Sequence, residues 1–258
     1  MNIKDKVVAV TGGGSGIGRA LCNALAEHNP KGLAVIDINQ EAAERVAKPL
    51  DALALQADVG SEAQVRSTIE ATQERFGPID LYIANAGIGH LGGVELDDAL
   101  WQETWNVNVM AHVYACRALI PAMEARGDGY LVFVSSAAGL LANMGTAAYT
   151  ATKHAAIGLA EWVAMTHGPQ GVKVSCVCPQ FVRTPMVENF ELPKTMRDFV
   201  NQDIIEPEAV ALETIRGIED ETFLILPHPV VMKFVQAKAH DHEQWMKTMM
   251  GLNKTLMG

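Results

Sequence analysis

Lys6-Val7-Val8-Ala9-Val10 runs directly into Thr11-Gly12-Gly13-Gly14-Ser15-Gly16-Ile17-Gly18, and the helix-forming Arg19-Ala20-Leu21-Cys22-Asn23-Ala24-Leu25 follows. A strand-length apolar run, a glycine-rich turn and a helix place free N–H groups and a helix dipole opposite an anion. The glycines permit positive φ, admit a pyrophosphate close to the backbone and let the helix pack on the strand. Taken alone, the match is weak, and its alternative is an ordinary strand-to-helix turn. Asp37 tips the balance, standing 19 residues beyond Gly18 at the end of Leu33-Ala34-Val35-Ile36. A carboxylate there accepts hydrogen bonds from both ribose hydroxyls of an adenosine and repels a 2′-phosphate, which favours NAD over NADP. Its alternative is a cap for a helix beginning at Gln40. Positions 36–39 hold no Arg or Lys, although Arg19 and Lys31 lie nearby in sequence. Asp58, in Ala57-Asp58-Val59, is a second strand-end acid, suited to an adenine edge or to a cap.

Working outward, apolar runs of strand length recur at Lys6–Val10, Leu33–Ile38, Leu53–Ala57, Asp80–Ala84, Tyr130–Val134, Lys173–Val177 and Thr222–Leu226. They lack apolar/polar alternation, as strands buried on both faces of a parallel sheet do. Helical segments alternate with them: Ile17–Glu27, Gln40–Pro49, Glu62–Phe76, Leu100–Arg126, Tyr149–Thr166, Pro207–Gly217 and Val230–Met250. This predicts an α/β fold with a seven-stranded, doubly wound parallel sheet, one domain over 1–258. Phe181–Glu206, about 181–206, breaks the rhythm after the sixth strand and is expected to be a substrate lid.

The chain has 258 residues, 49% hydrophobic and 19% charged, with a net charge of −10. That composition excludes global disorder and makes nucleic acid a poor partner. Cys22, Cys116, Cys176 and Cys178 form no C-x-x-C, and no stretch reaches a membrane span. The start, Met1-Asn2-Ile3-Lys4-Asp5-Lys6, has no apolar leader, so a soluble, cytoplasmic protein is expected.

Tyr149-Thr150-Ala151-Thr152-Lys153 sets a phenol and an ammonium one helical turn apart. A neighbouring cation favours the phenolate, which turns Tyr149 toward acid/base work; in isolation such a pair is usually a helix-surface contact. Upstream, Tyr130–Val134 ends in Ser135-Ser136, and the fourth strand ends in Asn85-Ala86-Gly87, with Asn108 in the helix beyond. These hydroxyls and amides stand at strand carboxyl ends, where open α/β sheets bind ligands.

In their order and spacing, from about Lys4 to Met186, these residues resemble the short-chain dehydrogenase/reductase family. Its T-G-x-x-x-G-x-G is met by Thr11, Gly12, Gly16 and Gly18, its N-A-G by Asn85, Ala86 and Gly87, and its catalytic set by Asn108, Ser136, Tyr149 and Lys153. The resemblance implies a Rossmann fold and hydride exchange between an alcohol or ketone and nicotinamide. It assigns Tyr149 as proton donor or acceptor and Ser136 as partner of the same oxygen. Lys153 would bind the nicotinamide ribose and lower the Tyr149 pKa, and Asn108, rather than Asn106, would hold a relay water. Gly12, Ser15, Gly16, Ile17, Gly18, Asp37, Ile38, Asp58, Val59, Asn85, Ala86, Gly87, Tyr149, Lys153, Pro179, Val182 and Thr184 would hold the cofactor. No metal site is expected; His240-Asp241-His242 diverges on a helix. Relatives are commonly dimers or tetramers built on the helices around Asn108 and Tyr149, so a homotetramer or homodimer is expected.

Two departures stand out. Gln180 replaces the family's Gly after Pro179, and Pro227-His228-Pro229 replaces an Asp-Gly-Gly turn. Expected pocket residues are Ile88, His90, Ala138, Leu140, Leu141, Asn143, Met144, Gln180, Met186, Val187, Phe190 and Phe199, and their apolar character predicts a bulky hydrophobic alcohol or ketone. His90 is a polar handle or a structural residue. The apolar segment 230–258 should pack on the lid, on a partner subunit or as a capping helix of the core. A 3-oxoacyl-thioester reductase is disfavoured by Asp37 and the negative charge. A non-catalytic dinucleotide sensor or scaffold is disfavoured by the complete catalytic set.

Overall fold

The computed structural model describes residues 1–257; Gly258 and the side chain of Met257, which end the expected apolar segment, lie outside the described residues. In chain order the elements are β1 Val7–Thr11, α1 Gly16–Glu27, β2 Gly32–Asp37, α2 Gln40–Ala47, β3 Leu53–Gln56, α3 Glu62–Phe76, β4 Leu81–Ala84, α4 Asp98–Trp105, a π-helical turn Asn106–Met110 and α5 Ala111–Arg126. There follow β5 Gly129–Val134, α6 Ala138–Leu141, α7 Ala147–His167, β6 Val172–Val177, α8 Pro185–Glu188, α9 Lys194–Gln202, α10 Pro207–Glu219, β7 Leu224–Ile225, α11 Val230–His240 and α12 His242–Met257.

The seven strands lie in the order β3-β2-β1-β4-β5-β6-β7 and all pair in parallel. Alternate residues of one strand feed opposite cores. Val7 and Ala9 pack with α3, α5 and α7, whereas Val8 and Val10 pack with α1, α2 and α10. Both faces are therefore apolar, which is why these strands read as continuous hydrophobic runs. The order reverses between β1 and β4, so the crevice of this doubly wound sheet opens beyond their carboxyl ends, at Thr11–Gly18 and Asn85–Gly87. Among the described residues no helix is long and apolar enough to cross a membrane.

Four local expectations are corrected. β3 is an edge strand and is half-exposed rather than buried on both faces. The predicted helix Leu100–Arg126 is three pieces, because the turn at Asn106–Met110 widens to i→i+5 bonding. Val230–Met250 is two helices, broken at Asp241, whose Oδ1 accepts from Gln244 N at 2.9 Å and caps α12. The lid is not structureless: α9 presents Met196 and Val200 inward after Pro193.

Candidate active site

A cavity of about 470 Å³ runs along the carboxyl ends of the central strands, from Asp37 at one end to Tyr149 and Lys153 at the other. Every residue expected to hold a cofactor lines it, as do Ser136, Gln180 and Met186. The glycine turn is stitched to β4. Thr11 Oγ1 accepts from Asn85 N (3.0 Å) and Ala86 N (3.1 Å), and Asn85 Nδ2 donates to the Thr11 carbonyl at 2.8 Å. The Asn85 side chain thus holds the turn. Gly12 takes φ +64°, and a Cβ on Gly18 would lie 2.0 Å from the Gly12 carbonyl oxygen, so α1 closes on the turn only through glycine. Ser15 precedes α1 without a side-chain cap, and the first turn carries no acid. That uncapped, uncharged helix start opening into a long cavity fits a dinucleotide pyrophosphate.

Asp37 lines the end of the cavity away from Tyr149 and Lys153. Its Oδ2 accepts from Gly14 N at 2.9 Å and its Oδ1 from Asn39 N at 3.0 Å. The cap of α2 is Asn39, whose Oδ1 accepts from Ala42 N at 3.0 Å, so Asp37 does not serve as that cap. Asp58 Oδ1 accepts from Gly60 N at 2.8 Å. Thr184 lies against Gly16, 3.2 Å from where a Cβ would stand, which brings the start of the lid onto the glycine turn.

At the other end, Lys153 is buried and its Nζ donates to the Val134 carbonyl at 3.0 Å, 5.4 Å from the Tyr149 ring centroid. Burial pushes the Lys153 ammonium down to about 8. Burial also pushes the Tyr149 phenol up, and the Ser136 hydroxyl offsets only part of that. Desolvation thus dominates the phenol in the protein alone, and the expected lowering by Lys153 is not among the causes that shift it. Ser136 Oγ accepts from Ala138 N at 3.1 Å and makes only a long contact, 3.4 Å, to the Pro179 carbonyl. Asn108 is fully buried and does not line the cavity. Its Oδ1 accepts from Ile88 N (2.9 Å), and its Nδ2 donates to the Ile88 carbonyl (2.9 Å) and to Thr152 Oγ1 (3.0 Å). The amide expected to hold a relay water is engaged in fixing the Gly87–Ile88 loop against α7. Asn106, in contrast, lines the cavity.

A second cavity, of about 300 Å³, adjoins the first and shares Ser136, Tyr149, Gln180, Met186 and Val187 with it. Nine expected pocket residues line it: Ala138, Leu141, Asn143, Met144, Gln180, Met186, Val187, Phe190 and Phe199. His90 and Leu140 do not line either cavity, and His90 Nε2 instead meets Glu103 Oε2 at 3.2 Å on the surface.

The short chain dehydrogenase profile matches residues 6–194. The chain belongs to that family. It is 28% identical to the NAD(+) 15-hydroxyprostaglandin dehydrogenase of Rattus norvegicus over 92% of this chain and 94% of that protein. Against cyclohexanol dehydrogenase of Acinetobacter sp. (strain SE19) the identity is 32%, over 80% of this chain and 85% of the relative. A crystal structure of a short chain dehydrogenase/reductase from Burkholderia phymatum in complex with NAD aligns with a TM-score of 0.83 and 27% identity, covering 95% of this chain and 96% of that one.

In this short chain dehydrogenase the far wall of the apolar cavity comes from beyond the profile: Met196, Val200, Phe234, Trp245, Leu252 and Leu256. The C-terminal segment packs on the lid, with Thr195 Oγ1 donating to the Leu256 carbonyl at 2.7 Å. The sequence signal for these residues was only their apolar character, since which helix they meet is set by the fold.

One buried group next to the site sets an acid limit. His112, one turn after Asn108, stacks edge-on against Phe133 at 5.0 Å, and neither ring nitrogen has a hydrogen-bond partner among the described residues. Burial, reinforced by Lys153, pushes it down to about 3. The fold accepts only the neutral ring, so stability is full above the unfolded value near 6.5 and is lost as pH falls from there toward about 3. Urea unfolding should show the His112→Leu variant losing on the order of 2 kcal/mol less than wild type between about pH 6.5 and pH 5. Parallel pH dependences for the two proteins would refute the assignment.

Proposed function

We propose that this short chain dehydrogenase interconverts a secondary alcohol and a ketone with NAD, on a bulky hydrophobic substrate. The observation that carries the reading is the junction of the two cavities at Ser136 and Tyr149, one lined by the glycine turn, Asp37, Asp58 and Asn85 and fitted to a dinucleotide, the other lined chiefly by aliphatic and aromatic side chains. Bound NAD supplies a carbon acceptor for the hydrogen and electron pair leaving the alcohol carbon. Tyr149 takes the hydroxyl proton in that direction and returns it to the ketone oxygen in the other. Ser136, whose hydroxyl donates only over a long 3.4 Å contact to the Pro179 carbonyl, turns to hydrogen-bond the same oxygen. Lys153 places a positive charge beside the phenol and would hold the nicotinamide ribose hydroxyls. Asn108 positions these groups through Thr152 and Ile88. Self-association on α5 and α7 is supported by Trp162 and Met165, which are 54% and 72% exposed on α7.

The test is NADH formation over a panel of cyclic, aryl and steroid-like secondary alcohols. Binding of NADH with no turnover of any of them would overturn the reading. NAD preference is assigned to the Asp37 charge. The Asp37→Asn variant keeps an acceptor for the Gly14 N–H and removes the repulsion of a 2′-phosphate. The ratio of kcat/KM for NAD over NADP should fall by about tenfold or more, from loss of a charge-assisted hydrogen bond. An unchanged ratio would remove Asp37 from cofactor selection.

A further inference from the structure

Gln180 follows Pro179 at the end of β6 and lines both cavities. Its Oε1 is enclosed and has no hydrogen-bond partner among the described residues. A buried amide oxygen without a donor is costly. The backbone is fixed by His228: Gln180 N donates to His228 Nδ1 at 3.1 Å, and His228 Nε2 meets the Asp203 carbonyl at 3.2 Å. His228 is thereby set as the neutral tautomer carrying its proton on Nε2, and it ties β6, the lid and the Pro227-His228-Pro229 turn together. Other polar groups of the apolar cavity are engaged. Asn143 Nδ2 donates to Thr146 Oγ1 at 2.8 Å, and Thr248 Oγ1 donates to the Gln244 carbonyl at 2.9 Å. Among the described residues that line this largely apolar chamber, Gln180 Oε1 is the enclosed side-chain acceptor left without a partner, and Gln180 shares the chamber with Ser136 and Tyr149.

We propose that the Gln180 carboxamide is a specificity-determining group that accepts a hydrogen bond from a second hydroxyl on the carbon beside the reacting one, making vicinal diols and α-hydroxy ketones the preferred substrates. The inference rests on the alcohol/ketone reading above. The terminal torsion of a Gln is broad, so the amide turns to meet a donor in the chamber. A substrate without that hydroxyl leaves the oxygen unpaired, and this sets the discrimination. In the step itself the reacting carbon loses its hydrogen with the bonding pair to NAD and its hydroxyl proton through Tyr149 to solvent. The products are an α-hydroxy ketone, NADH and a proton, and the neighbouring hydroxyl keeps all its bonds.

Paired substrates test this: cyclohexanol against trans-cyclohexanediol, and α-methylbenzyl alcohol against styrene glycol, in wild type and the Gln180→Met variant. NADH binding by fluorescence is measured alongside. The wild type should favour each diol in kcat/KM, and the diol-to-alcohol ratio should fall about tenfold in the variant. Because the wild-type preference is read first, a variant that fails to fold leaves that comparison standing. A wild type indifferent to the second hydroxyl overturns the inference, as does a ratio within twofold of wild type in the folded variant. An equal loss on both members of a pair, with weaker NADH binding, overturns it by assigning the amide to the cofactor. Turnover of none of the four alcohols by a wild type that binds NADH brings down the alcohol/ketone reading itself, a result distinct from the others.

Discussion

The Tyr149→Phe variant should lose about three orders of magnitude in kcat for both alcohol oxidation and ketone reduction while still binding NADH. Phe keeps the ring that packs beside Lys153 and Gly89, so the cavity and the fold are preserved. Only the hydroxyl is removed, and a positioned acid/base contributes about 10²- to 10⁴-fold. Retained fluorescence enhancement of NADH would show that the dinucleotide cavity is intact, and undiminished NADH production would sink the mechanism. The wild type carries a companion signature. Burial raises the Tyr149 phenol, so the phenolate needed for oxidation accumulates only as pH rises, whereas the phenol needed for reduction is lost in the same range. Oxidation should therefore climb with pH into the alkaline region and reduction should decline. The tyrosine variant's residual rates should not follow either limb.

The second large effect is expected at Gly18. An alanine methyl there would lie 2.0 Å from the Gly12 oxygen, 2.7 Å from the Gly12 carbonyl carbon and 2.6 Å from Asn85 Nδ2. Two of these atoms are backbone and cannot rotate away. Relief requires α1 to move off the turn, which also breaks the Asn85 bonds to Thr11 and Gly12. Overpacking of this kind costs about 1–3 kcal/mol or more. The displaced helix start no longer faces the pyrophosphate, so NADH affinity should fall about 100-fold, with the lost charge-assisted contacts adding to the strain. Gly251→Ala is the control: a methyl at that exposed position of α12 meets nothing within 4 Å, and an alanine there should leave stability unchanged or raise it slightly. Thermal unfolding and NADH titration of the two variants decide the matter. Similar behaviour would mean that the close approach at Gly18 carries no weight.

Much of this was legible in the sequence because backbone demands leave few residue choices. The Thr11–Gly18 turn needs glycine at its close contacts, and strands such as β1 must be apolar on both sides to serve two cores. The dinucleotide cavity follows from those constraints, and its expected lining residues come together. What was not legible depends on the partners that side chains meet. Nothing in the composition of Asn106–Met110 marks a π turn, since the residues before and after it are ordinary helix formers. Asn108 reads as a site residue, yet its amide is turned toward Ile88 and Thr152, a choice made by the packing of α7. Leu53–Gln56 is apolar enough for a central strand and became an edge only through its place in the sheet order. Phe234, Trp245 and Leu256 read as a hydrophobic tail, and only the docking of α12 on α9, with Phe234 of α11 set against Trp245, makes them a cavity wall.

The two cavities are also written in different parts of the chain. Ser136, Tyr149 and Lys153 are anchored to the sheet by β5 and α7, whereas much of the apolar chamber is contributed by residues between Met196 and Leu256. Changes to those later helices can reshape what fits without disturbing the reacting groups. Such an arrangement separates inheritance of the chemistry from inheritance of taste: one protein can be re-aimed at a new substrate by repainting a wall while Ser136, Tyr149 and Lys153 stay as they were.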